Sequence, residues 1–313
     1  MDQNTHVRRR TEPCLAVSET GRTRAVRALF GVALLGVALP VTGLLPTGVA
    51  AQTSFETTEV AIDLYRFRWQ NHNGMFLVTD DGVVVVDPIN VDAARQMAAE
   101  IRRIAPDSPL SAIVYSHSDA DHSTGGRALM EAMGQPDVPI IAHELAVAPI
   151  QERSDPEQPL PTVTFAERME LRVGGREIQL HYLGRGHTDN MIVPYFRDAG
   201  VAFAVDFVAN DRMGYRDLAG WYFPDFFEAV SGLLGIPFDT IVFGHGPDGD
   251  RASIHRQIAY YDDLTAAVRD ALARGWSEDQ AAGEIRLEEY SHWDQYEEWF
   301  PMNVRGIYRW LVR

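Results

Sequence analysis

The stretch Ser116-His117-Ser118-Asp119-Ala120-Asp121-His122, directly after the apolar run Ala112–Tyr115, decides how this chain is read. Two histidines and two aspartates (His117, Asp119, Asp121 and His122) fall within six residues. Imidazole nitrogen and carboxylate oxygen together suit zinc, iron or manganese. A buried strand is a rigid base, and the loop leaving it can curl its side chains round an ion. An acidic surface loop with incidental histidines is the plainer reading of any one of these residues. Four potential ligands together, followed by Ser123-Thr124-Gly125-Gly126 and a helix over Gly125–Met133, speak against it.

Further candidates stand at other strand ends. His187 lies in Leu183-Gly184-Arg185-Gly186-His187-Thr188, Asp206 closes the run Val201–Val205, and His245 lies in Phe243-Gly244-His245-Gly246. The glycines there let backbone approach closely. A lone histidine at a strand end is commonly a hydrogen-bonded structural residue, but the same strand-to-loop placement recurs at four sites.

The elements around these sites alternate between strand and helix. Ile62–Trp69 has the period of a half-buried strand, and Met75–Thr79 and Val83–Asp87 flank the tight turn Asp80-Asp81-Gly82. Asn90 is placed to cap a helix to about Ile104. Val138–Ala142 reads as strand, 151–162 as polar loop, and two strands flank Gly174-Gly175. Met191–Phe196 and Val201–Val205 form another pair. Phe226–Leu234 and Ile254–Ala273 read as helices around a strand at Thr240–Phe243, and the tail from Leu287 to Trp310 is aromatic-rich. No Pro/Gly/Ser linker divides the chain after its first 51 residues. This is the pattern of an α/β sandwich with two related halves.

The 313 residues carry a net charge of -16, which argues against nucleic acid or an anionic membrane as a bulk partner. Every basic side chain is Arg, so lysine Schiff-base and lysine general-base chemistry are excluded. The N-terminus reads as an export signal over residues 1–51: Arg8, Arg9, Arg10, Arg22, Arg24 and Arg27 precede the apolar run Ala28–Leu45, and Val49-Ala50-Ala51 offers small residues for cleavage. The mature chain would begin near Gln52, be periplasmic or secreted, and keep no stable membrane span; an uncleaved anchor is the rival reading. The single cysteine, Cys14, lies in that leader, so the mature chain has no disulfide and no thiolate ligand.

The order His-x-Asp-x-Asp-His, Gly-His-Thr, Asp, Gly-His-Gly, with a hairpin from Met75 ending in Val-Val-Asp-Pro, resembles the metallo-β-lactamase superfamily over about residues 55–250. The resemblance implies a four-layer αβ/βα sandwich over one domain, 52–313, with two divalent metal ions at one edge, zinc leading and iron or manganese open. It implies that His117, Asp119 and His187 hold the first ion, that Asp121, His122 and His245 hold the second, and that Asp206 bridges them. It implies hydrolysis by a metal-bound hydroxide, oriented by Asp121, on a small-molecule ester, lactone, thioester or β-lactam. Position 119 departs from the usual His-x-His-x-Asp-His. The added carboxylate makes the site more negative and leaves open an iron-dependent redox member or a non-catalytic binding protein. Seryl catalysis is disfavoured, since neither Ser116 nor Ser118 sits in a Gly-x-Ser-x-Gly elbow.

In the loop after Asp206, Arg212 and Arg216 are candidates for holding a substrate anion, and Phe207, Tyr215, Trp221, Tyr222 and Phe223 for walling its pocket. His72, in Asn71-His72-Asn73-Gly74, reads as a turn residue near the cleft. His143 reads as structural, and Tyr290, Trp293, Tyr296, Trp299 and Phe300 as core or cover.

Overall fold

Strands β1 (Phe55–Ala61), β2 (Leu64–Trp69), β3 (His72–Thr79) and β4 (Gly82–Val86) form an antiparallel meander in the computed structural model, which describes residues 54–313. The expected export segment, 1–51, lies outside the described residues. Strands β5 (Leu110–Val114), β6 (Ile140–His143) and β7 (Val163–Phe165) extend this sheet in parallel, so its order is β1 to β7. Parallel neighbours need crossovers. Helix α1 (Val91–Ile104) supplies the first, the short α2 (Ala120–Ser123) with α3 (Gly126–Met133) the second, and α4 (Val147–Arg153) the third. A second sheet has the order β12-β11-β10-β9-β8, built from β8 (Arg168–Val173), β9 (Arg176–Tyr182), β10 (Ile192–Phe196), β11 (Val201–Ala204) and β12 (Thr240–Phe243). Helix α5 (Asp225–Leu233) precedes β12, and α6 (Arg251–Ala273), α7 (Glu278–Glu284) and α8 (Tyr296–Leu311) follow it.

The valine run of β4 shows why these are layers. Successive side chains of a strand point to opposite faces. Val83 and Val85 join the core under α1 and α3, while Val84 and Val86 join the core between the two sheets. A strand covered on both faces has no polar side, which accounts for its unbroken apolar sequence. The inter-sheet core pairs Leu64, Met75, Leu77 and Val114 with Leu180, Ile192, Phe203 and Val242. On the outer face of the second sheet, α5, α6 and the tail enclose a third core containing Phe226, Tyr260, Tyr261, Trp293 and Phe300. The four layers are therefore helix, sheet, sheet and helix.

Helix α1 begins where its cap predicts: the Asn90 side chain accepts from the Ala93 amide at 3.0 Å. Elsewhere the elements differ from expectation. Strand β1 faces solvent along much of its length and lacks clean alternation, and β7 is only three residues long. Helix α4 takes Gln151–Arg153 out of the expected loop, and Pro149 is tolerated because it lies in the first turn, where its missing N–H has no partner to lose. Helix α7 has a capping box between Ser277 and Gln280. Among the described residues no helix is long and apolar enough to cross a membrane.

Phe203 is fully buried between the sheets, whereas Ile62 is 78% exposed on the rim. Phe203→Ala should destabilise the fold by about 3–5 kcal/mol in urea unfolding, and Ile62→Ala by no more than about 0.5 kcal/mol. Equal effects would contradict the layer assignment.

Candidate metal centre

The loop after β5 is held from both sheets. Asp87, at the end of β4, accepts from the Ser116 amide at 2.7 Å and from its hydroxyl at 2.6 Å. The Ser116 carbonyl accepts from the Ile192 amide of β10 at 2.7 Å, and the Ser118 amide donates to Asn190 Oδ1 at 2.8 Å. The Ser118 carbonyl accepts from Arg153 and Gln158 at 2.7 and 2.8 Å. This backbone has few ways to move, so its side chains are aimed before any ligand arrives. Asp119 stands at the N-cap of α2, yet its carboxylate makes no capping bond and is turned towards His117 and His187 instead.

Two groups of donors result. His117 Nε2 lies 3.6 Å from Asp119 Oδ2 and 3.2 Å from Asp206 Oδ2. His187 Nε2 lies 3.1 Å from Asp119 Oδ2 and 3.7 Å from Asp206 Oδ2. In the second group His122 Nε2 lies 3.7 Å from Asp121 Oδ2 and 3.3 Å from His245 Nε2. The other oxygen of Asp206 faces this group, 2.9 Å from His245 Nε2 and 3.4 Å from His122 Nε2. Asp206 thus stands between the two groups. All seven residues named from the sequence are brought to one seam between the sheets.

The seam also contains His72, which sequence reasoning treated as a turn residue. It begins β3, and its Nε2 lies 3.2 Å from Asp121 Oδ2. His72, Asp121, His122 and His245 offer donor atoms all within 4.8 Å of one another, as do His117, Asp119, His187 and Asp206. His143 is remote from both groups: its ring stacks on Tyr182 at 3.9 Å and its Nε2 donates to the Ala166 carbonyl.

Burial by itself would push the His117 and His122 imidazoles down and the three carboxyls up. The neighbouring opposite charges outweigh it. His117 is raised to about 9 by Asp119 and Asp206, and His122 well above its ordinary value by Asp206 and Asp87. Asp121 is lowered to about 2, chiefly by His72, and Asp119 and Asp206 are held well below the usual carboxylate range by the imidazoles. A cavity that favours cations this strongly suits metal ions, whose binding would displace the imidazole protons. Two orphaned atoms agree: buried His117 Nε2 and Asp206 Oδ1 have no well-aligned hydrogen bond, although imidazoles crowd the latter. The donor set, the convergence and the orphans all fit divalent ions.

Above the donors opens a cleft of about 650 Å³. Its walls include Phe207, Arg212, Met213, Tyr215, Trp221 and Trp299. Trp221 is 6% exposed and meets the His187 ring edge-on at 5.9 Å. Arg212 does line the cleft, but its guanidinium pairs with Asp294 and lies over the Trp299 ring at 4.9 Å. Arg216 is exposed, stacked on Tyr215 and outside the cleft lining. Tyr222 and Phe223 also lie outside that lining; Phe223 packs on Phe226 and Trp310. Tyr290, Trp293, Tyr296 and Phe300 are core, whereas Trp299 reaches the cleft.

A profile of the metallo-beta-lactamase superfamily matches residues 67–245. The chain is 27% identical over 233 residues to the 2,4-dinitroanisole O-demethylase subunit alpha of Nocardioides sp., spanning 72% of this chain and 69% of that one. It is 25% identical over 185 residues to the metallo-beta-lactamase type 2 of Bacillus cereus, spanning 57% and 68%. The stereoselective inverting sec-alkylsulfatase from Pseudomonas sp. superposes with a TM-score of 0.67 at 16% identity, over 82% of this chain and half of that one. The metallo-beta-lactamase from Pontibacter korlensis superposes with a TM-score of 0.56 at 21% identity, over 66% and 98%. At these identities the structural likeness is one of fold, and it is the matched profile, lying over the seam that holds the donors, that makes this chain a member of the metallo-β-lactamase superfamily.

Proposed function

We propose that the protein is a two-metal hydrolase of a small neutral ester, lactone or thioester with an aryl or alkyl body. The observation that carries this reading is the juxtaposition of two converging donor groups with an aromatic-walled cleft directly above them. Divalent ions held there would act as Lewis acids, making a water more acidic and stabilising negative charge on the substrate oxygen. The chain's own contribution is placement. His117, Asp119 and His187 hold one position, Asp121, His122 and His245 the other, and Asp206 faces both. Asp121, whose side chain is 54% exposed, would orient the attacking water by accepting a hydrogen bond from it. Trp221 and Trp299 receive the apolar body of the substrate and exclude bulk water from the donors.

The choice of a neutral substrate follows from the wall. There is no lysine in the chain, and the one guanidinium in the cleft is already engaged by Asp294 and Trp299. A β-lactam, whose carboxylate needs a cation, is therefore a poorer fit than an uncharged ester. Likeness to the O-demethylase subunit favours a second reading, hydrolytic cleavage of an aryl alkyl ether in the same cleft. Purified protein should cleave a chromogenic aryl ester at least about tenfold more efficiently than a chromogenic cephalosporin. Trp299→Ala should raise KM for it about 10- to 100-fold with metal content unchanged, the loss of one buried ring face. The opposite preference, or no ester or aryl ether cleavage by the metal-loaded protein, would overturn the reading.

Metal content tests the centre separately. Wild-type protein should hold close to two ions per chain by elemental analysis, with zinc as the leading ion and iron or manganese as the alternatives. Asp119→Ala should lower the content at the first position, while Asp119→His should restore it and shift preference towards zinc, since imidazole suits that ion. Equal content in wild type and both variants would show that Asp119 is not a ligand.

Export is proposed on the arginine-rich, apolar and small-residue segments of 1–51. Intact mass of protein recovered from its host should give an N-terminus at or near Gln52. Retention of residues 1–51 in a membrane fraction would instead support an anchor.

A further inference from the structure

The second donor group contains one imidazole more than the sequence motifs supply. We propose that His72 is a further protein ligand of the second ion, beside Asp121, His122 and His245, so that this site is nitrogen-rich while the first is oxygen-rich. The inference rests on the metal-dependent reading above.

Three observations carry it. The first is spacing. His72 Nε2 lies 3.2 Å from Asp121 Oδ2, Asp121 Oδ2 lies 3.7 Å from His122 Nε2, and His122 Nε2 lies 3.3 Å from His245 Nε2. A charge-assisted hydrogen bond is shorter, about 2.7–2.9 Å. Donors each about 2.0–2.2 Å from a tetrahedral ion are roughly 3.3–3.6 Å apart; the three neighbouring pairs lie close to that spacing, and all four donors fall within 4.8 Å of one another.

The second is orientation. His245 Nδ1 donates to the Asn71 carbonyl at 2.8 Å, which leaves Nε2 as its free lone pair, pointing into the group. The His72 ring packs edge-on against the His245 ring at 4.6 Å and lies 5.4 Å from that of His122.

The third is anchoring. His72 and His245 form an antiparallel bridge, and the next residue, Asn73, ties the strands together. Its amide donates to the Gly244 carbonyl at 2.8 Å, and its side-chain nitrogen donates to the carbonyls of Phe243 and Gly246 at 2.8 and 3.1 Å. Asn73 is fully buried. The clamp that places His245 therefore places His72 as well, which a loose turn residue would not need.

The consequence is an asymmetric pair. The first group has two imidazoles and two carboxylates, the second three imidazoles and one carboxylate. Nitrogen-rich donors favour zinc, and oxygen-rich donors favour harder ions such as manganese. Asp206 faces both groups, so His72 brings the second to five protein donors against four for the first, and the second ion should bind more tightly while the first should be the one a chelator removes sooner.

The test uses the full chain and two variants. Loss of a partner that merely orients a ligand lowers metal affinity about 10- to 100-fold, so loss of a direct ligand in His72→Ala should weaken the second zinc at least tenfold in chelator competition. His72→Cys, loaded with cobalt(II), should show a thiolate-to-cobalt charge-transfer band in the near ultraviolet. The wild type should lack that band, its one cysteine being Cys14. Should His72→Ala fail to fold, the Cys variant decides alone. Wild-type affinity in His72→Ala, or no band in His72→Cys that has taken up cobalt, would overturn the proposal. A wild type that holds a single ion would remove the two-ion reading only, since the band in His72→Cys would still place residue 72 on the metal.

Discussion

One carboxylate sets the terms for the whole seam. Asp206 has a side chain 12% exposed and faces four imidazoles, His117 and His187 on one oxygen and His122 and His245 on the other. A buried charge is costly unless it is paired on every side, so the four histidines and the carboxylate stabilise one another only as a set. Reaching that position costs backbone strain: Asp206 has φ of +67°, a region that non-glycine residues seldom occupy. The neighbouring strand end must also come close. A Cβ at Gly244 would fall 2.5 Å from the Val205 side chain, so glycine is required where β12 ends beside β11.

The rest of the fold keeps these ends in register. Ser116 connects the two sheets, because it donates to Asp87 of the first and accepts from Ile192 of the second. Its hydroxyl also lies 2.9 Å from His117 Nδ1, so the residue that joins the sheets helps to fix the ring of a site histidine. Asn73 makes the matching connection at the other end of the seam. Both are buried polar residues with at least one bond to the opposite layer, and such networks specify one arrangement of the layers where apolar packing alone would tolerate several.

Most of the site was legible because its signals are local. His117 to His122 are contiguous, and His187, Asp206 and His245 each stand next to glycine or at a strand end, where a polar residue after an apolar run is conspicuous. The layers were legible for a similar reason, since the valines of β4 are apolar at both periods. His72 was missed because Asn71-His72-Asn73-Gly74 has the composition of a turn. What makes it a strand start is pairing with Gly244 and His245, residues far away in sequence. Arg216 shows the converse: close to Asp206 in sequence, it lies exposed on Tyr215 and outside the cleft lining. A capping box marked α7 in plain view, while β1 and β7 had no signal beyond the partners they pair with.

Asp119 and His72 are best understood together. The usual family motif has histidine at position 119, and replacing it removes an imidazole from the first group and adds a carboxylate. His72 puts an imidazole back, but into the second group. Counted over the seam, five imidazoles are kept while the carboxylates rise to three, so the change is a redistribution of donors and not a loss. Two divalent ions against three carboxylates keep one positive charge before any water is deprotonated. On the proposed two-ion reading Lewis acidity would survive, weakest where Asp119 and Asp206 meet, and an ion in the first group would bind an anionic substrate less strongly than one in a nitrogen-rich site. On that reading a weaker electrostatic grip on anions, beside a cleft in which the one guanidinium among the described residues is already paired, would leave apolar contact with Trp221 and Trp299 as the main source of substrate binding. The donor exchange and the aromatic wall would thus favour the substrate proposed above, one held by its body instead of its charge.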